Sequence, residues 1–153
     1  MQVSSLYSEV MGILYRSDPA KYFMVVLWDG VVSWDEWQAH IRLAMADPDW
    51  ANPPRILSDL RSVTDTATIQ EPEMRQALAQ LGANQHLLAG RRNAIVAGAE
   101  FRKASRYAEL VEHYGMQTVV FNNLDTACIF LNINPEYARA KIAELHRELK
   151  NIP

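Results

Sequence analysis

Two periodicities alternate along the chain, and each handover is marked by a turn or cap residue. Met11 to Tyr15 and Tyr22 to Trp28 are apolar, β-rich runs separated by Ser17-Asp18-Pro19-Ala20. Asp and Pro pre-shape a turn and Pro cannot join a central ladder, so the pair reads as a β-hairpin. Asp29-Gly30 is expected to end its second strand. Ser33-Trp34-Asp35-Glu36 has the form of a capping box, in which Ser33 and Glu36 satisfy each other's orphan amides. Trp37, Ile41, Ala44 and Met45 then recur at helical spacing, and Asp47-Pro48 stops that helix.

Beyond Asn52-Pro53-Pro54, Arg55 to Leu60 reads as a strand that enters a polar loop, Arg61 to Thr68. A second helix opens near Pro72, with Met74, Ala77, Leu78 and Leu81 on one side. Asn93 to Ala97 is a buried-type strand broken by Gly98. A third helix is expected from about Glu100 to Tyr114, with Phe101, Ala104, Ala108 and Val111 inward and Gly115 as its C-cap. Gln117 to Phe121 is the last strand. Leu124, Ala127, Cys128 and Leu131 make a fourth helical stripe. Asn134-Pro135 caps a charged terminal helix with Ala138, Ile142, Leu145 and Leu149 on one face.

The order β-β-α-β-α-β-α-β-α-α predicts an α/β domain with a mixed five-stranded sheet. The N-terminal hairpin is antiparallel and the later strands are parallel, because helical crossovers are right-handed. Four helices and an appended C-terminal helix at 134–150 cover it. The loops 61–68, 98–103 and 122–125 should gather beyond the carboxyl ends of the last three strands, the edge where open α/β sheets bind ligands.

Composition narrows the function classes. The 153 residues suit a single domain spanning 1–153, and 49% apolar with 22% charged residues is ordinary globular usage. A net charge of −3 gives no global attraction to nucleic acid or an anionic membrane. The apolar runs are far shorter than a membrane span, and neither a secretory signal nor a paired cysteine is visible, so the expected location is the cytoplasm. The lone Cys128 lies on an apolar stripe and reads as core.

No catalytic or cofactor fingerprint is present, and no catalytic residue, metal site or cofactor is expected. His40, His86, His113 and His146 fall in different helices without ligand spacing, and read as surface or boundary residues. Asp59, Asp65 and Asp125 near the loop edge are the residues a hydrolase-type site would use, although carboxylates there commonly form turns and caps. Arg102, Lys103 and Arg106 at the start of the third helix, with Arg61 at the same edge, are candidates for holding a phosphate or carboxylate. Their plainer reading is a solvated helix face. Trp28, Trp34, Trp37 and Trp50 could line an apolar pocket or an interface. Trp37 has core spacing, whereas Trp34 is expected to be exposed and is the candidate interface residue for a homodimer. The terminal helix is the other dimer candidate, unless its stripe packs back on its own sheet.

The segments "WDGVVSWDEW" at 28–37, "ILSDLRSVTD" at 56–65, "RNAIVAGAEFRKASRYAELV" at 92–111 and "TVVFNNLDTACIFL" at 118–131 resemble the bacterial stand-alone SpoIIAA-like proteins of the STAS superfamily. The likeness covers roughly residues 8–132. It implies the fold of the sporulation anti-sigma-factor antagonist and a non-enzymatic regulatory module that recognises a protein partner. The alternative is a carrier for a small apolar or anionic ligand, such as a lipid, because related folds bind apolar tails between helix and sheet. In those antagonists a kinase phosphorylates the Ser of an Asp-Ser pair. The matching positions here are Ala67 and Thr68, so the Asp is missing and the Ser is replaced, which speaks against a phospho-switch at Thr68.

Overall fold

The computed structural model describes residues 12–50, 54–83 and 88–151. Strand β1 (Ile13–Asp18) leads through a 3₁₀ turn at Pro19–Lys21 into β2 (Phe23–Val31), and α1 (Trp34–Ala46) follows. Then come β3 (Arg55–Asp65), α2 (Glu71–Gly82), β4 (Arg92–Val96), α3 (Phe101–Val111), β5 (Gln117–Phe121), α4 (Leu124–Leu131) and α5 (Pro135–Lys150). The five strands lie side by side in chain order; β1 and β2 are antiparallel and the rest are parallel.

Chain-order stacking of parallel strands has a direct consequence. Right-handed crossovers between successive neighbours place every connecting helix on the same face. Accordingly Trp37 and Ile41 of α1, Met74 and Leu78 of α2 and Val111 of α3 share one buried cluster with Met24, Val26 and Ile56. The opposite face is covered by α4 and α5. There Leu124, Cys128, Leu131, Ala138, Ile142 and Leu145 pack against Leu14, Val25, Leu57 and Val96. The stripe on α5 is thereby spent on its own sheet.

Local signals explain most of these boundaries. The capping box at α1 is complete: the Ser33 amide donates to Glu36 Oε2 at 3.0 Å and the Glu36 amide to Ser33 Oγ at 3.1 Å. A second box, Gln70 with Glu73, starts α2. Asn123 and Asn134 cap α4 and α5 through their side chains, and Gly115 closes α3's 3₁₀ tail at φ 85°.

Several expectations need correction. β1 runs on through Asp18, and the turn is tightened by Tyr22 in the left-handed region (φ 52°). Asp29-Gly30 does not end β2. It stays paired with Ser62 and Val63 through register shifts, with Gly30 at φ 70°. β3 in turn extends to Asp65, so the polar loop shrinks to Thr66–Gln70. Pairing with the irregular end of β2 satisfies backbone groups that the polar side chains of 61–65 give no hint of burying. Phe101 is 40% exposed, and the inward face of α3 is set instead by Ala104, Tyr107 and Val111. Met45 is 44% exposed. Met11, Asn52, Pro53 and His86 lie outside the described residues.

Candidate functional site

The face of β2, β3 and β4 turned toward α1, α2 and α3 is not filled to its centre. A cavity of about 130 Å³ remains between sheet and helices. Its floor is Val26 and Trp28 of β2, Ile56, Ser58 and Leu60 of β3, and Asn93 and Ile95 of β4. Strand alternation places each of these sets on one face. Trp37, His40, Ile41 and Ala44 of α1 form one wall, Met74 and Leu81 of α2 another, and Lys103, Ala104 and Tyr107 of α3 the third. An apolar void of similar size, about 150 Å³, admits a benzene-sized guest in an engineered core.

Aromatic rings make much of this lining. Trp37 is a hub, edge-on to Trp28, Trp34 and Tyr107 at centroid distances of 5.7, 5.6 and 5.7 Å. At the other end His40 stands edge-on to Tyr15 at 5.6 Å and to Trp50 at 5.0 Å. Large rings bridge wide gaps, and the small Ala44 and Ala104 beside them in the same walls leave space.

Polar groups are set into this apolar lining. Ser58 Oγ donates to Asn93 Oδ1 at 3.0 Å across the floor. Asn93 is buried, at 8% exposure. His40 is buried and its Nδ1 meets no partner; burial alone lowers its pKa to about 4, so the ring is neutral at physiological pH. Burial pushes the Tyr107 phenol up. At the loop edge Lys103 Nζ donates to the Thr66 carbonyl at 3.0 Å and to Thr66 Oγ1 at 2.8 Å, while Thr66 Oγ1 donates to Glu100 Oε1 at 3.0 Å. This bonded trio ties the start of α3 to the loop after β3.

The four basic candidates do not converge. Lys103 alone lines the cavity, and its charge stands beside Glu100. Arg106 donates to Glu71 at 2.6 Å and to Glu109 at 2.9 Å, and its pull, with that of Arg75, holds the Glu71 carboxyl down at about 2. Arg61 forks onto the buried Asp59 through Nε and Nη2, both at 2.9 Å. Position 59 shares its strand phase with Leu57, which packs under α4 and α5, so this pair starts on the sheet face opposite the cavity. Arg102 is exposed.

Other sequence candidates also find their places. Trp34 is half-buried against Trp37 rather than exposed, and its amide donates to Thr68 Oγ1 at 2.8 Å. Asp65 accepts from the Ala67 amide at 2.7 Å, a turn-forming role, and Asp125 pairs with Arg139. Cys128 is fully buried, and burial raises its thiol pKa. His40 departs from the surface reading, because position 40 lies on the same helical face as Trp37, Ile41 and Ala44. Among the described residues no cluster of His, Cys, Asp or Glu could hold a metal ion, and no helix is long and apolar enough to cross a membrane.

No protein-family model, curated protein or solved structure matches this chain.

Proposed function

We propose that the chain is a non-enzymatic binding domain whose ligand is a small, largely apolar molecule held between the helical layer and the sheet. The carrying observation is the cavity itself: about 130 Å³, walled by Trp28, Trp37 and Trp50 at the centre of the larger core. Cores of this size normally close to near-crystalline packing, and each void forfeits dispersion contacts. A guest restores them. The resemblance to the SpoIIAA-like STAS proteins supports the same general class, a sensing or carrying module rather than an enzyme.

Recognition of a protein partner through Trp34, or homodimerisation through the terminal helix, draws less support. The Trp34 ring packs on Trp37, and α5 covers its own sheet. An anion-binding edge draws less still, because Arg61 and Arg106 are already paired with carboxylates.

Thermal unfolding with and without toluene tests the ligand reading. Binding to the native state alone raises stability by RT ln(1 + [L]/Kd). Toluene should raise the Tm of the wild-type chain by several degrees. Ala104→Leu, which projects new methyl groups into the void, should fold and abolish the increase. An equal increase in both proteins, or none in either, contradicts a ligand seated in the cavity.

A further inference from the structure

Resting on that ligand reading, we infer that the cavity selects a small ring or short-chain molecule bearing a hydroxyl or carbonyl oxygen, and that the Asn93 carboxamide reads this oxygen. A central parallel strand is ordinarily apolar on both faces. Here β4 places Asn93, its second residue, on the cavity floor at 8% exposure, in register with Ile56 of β3 and Thr118 of β5. Its Oδ1 accepts from the Ser58 hydroxyl of the adjacent strand at 3.0 Å. That bond fixes the orientation of the amide and leaves the two Nδ2 hydrogens as donors. Among the described residues neither hydrogen is taken up by an acceptor.

The α1 wall adds a second polar residue, His40. His40 Nδ1 is buried without a partner, and the neutral imidazole offers it as an acceptor or as a donor according to tautomer. Buried polar groups are nearly always hydrogen-bonded, because leaving one unmet forfeits its hydration without return. The Asn93 donors on the cavity floor are accounted for by a ligand oxygen, with His40 a second polar residue of the lining. A carbonyl or hydroxyl oxygen accepts from Asn93. A pure hydrocarbon would offer the Asn93 amide no acceptor, and sites built to hydrogen-bond a ligand discriminate strongly against the analogue lacking the group.

Isothermal titration of the full chain with phenol and with toluene separates the two levels of the argument. The wild-type protein should bind phenol at least tenfold more tightly than toluene. Asn93→Leu, close in shape but without donors, should lose that preference while keeping toluene affinity. Ser58→Ala, which only frees the carboxamide to turn, should reduce the preference and decides the matter if Asn93→Leu fails to fold. Saturable toluene binding equal to that of phenol in the wild type overturns oxygen recognition and leaves the cavity reading standing. A phenol preference undiminished by the Asn93 and Ser58 substitutions overturns the role of Asn93. Binding of neither probe overturns both levels together.

Discussion

His40 and Trp50 meet edge to face at 5.0 Å, an imidazole of α1 turned against an indole of the segment that leaves the helix. Both residues line the cavity, and burial keeps the histidine neutral. With a folded pKa of about 4 against about 6.5 when unfolded, His40 binds its proton more readily in the unfolded chain. The stability it allows is therefore fully present above pH 6.5 and is lost as pH falls toward 4, by about 3 kcal/mol at most for a shift of this size. Urea unfolding followed from pH 7 to 4 should show that decline, and His40→Phe should flatten it. An identical pH profile in the two proteins would sink the assignment.

Arg61 and Asp59 form a fork of two 2.9 Å hydrogen bonds, with Asp59 only 1% exposed. Removing the guanidinium strands a buried carboxylate. A fully buried pair costs about 3–5 kcal/mol when broken this way. The Arg61 side chain is 42% exposed, so water partly replaces it and about 2 kcal/mol is expected for Arg61→Ala. Denaturant midpoints should show this loss, with phenol affinity measured below the transition unchanged. A weaker phenol affinity would mean that Arg61 serves the ligand after all.

Lys103 holds the loop after β3 through the carbonyl and hydroxyl of Thr66, at 3.0 and 2.8 Å. Each such bond contributes roughly 1 kcal/mol. Lys103→Ala should loosen this edge of the cavity, so stopped-flow measurements should show ligand association and dissociation accelerating together, several-fold, with little change in Kd. A large loss of affinity for neutral toluene with unchanged rates of association would contradict a purely closing role.

Much of the architecture was legible in the residues, and the exceptions share a cause. The Ser33–Glu36 box and the stripe of Leu124, Ala127, Cys128 and Leu131 are local signals, and both stand as read. The mixed sheet follows from the order of its elements. The extension of β3 over 61–65 was not legible, because it depends on where the irregular end of β2 lies, and that is tertiary pairing overriding local polarity. Reading Phe101 rather than Tyr107 as inward rotated the face of α3. The cavity was legible only as one of two uses for Trp28, Trp37 and Trp50, pocket or interface: periodicity tells which face is buried but not how completely facing side chains fill the space between them. One signal was available. Ser58 and Asn93 interrupt the apolar face of adjacent central strands, and a polar pair there marks an unusual floor.

The most direct measurement of the central claim is the response of the indole N–H resonances to toluene. Trp28, Trp37 and Trp50 line the cavity, whereas Ile129 and Val31 stand exposed on the surface, at 76% and 62%. A single saturable site that shifts the three indoles together, and vanishes in Ala104→Leu, is the predicted result. Unsaturable shifts confined to exposed positions such as Ile129 and Val31, with the indoles unmoved, would contradict an internal binding site.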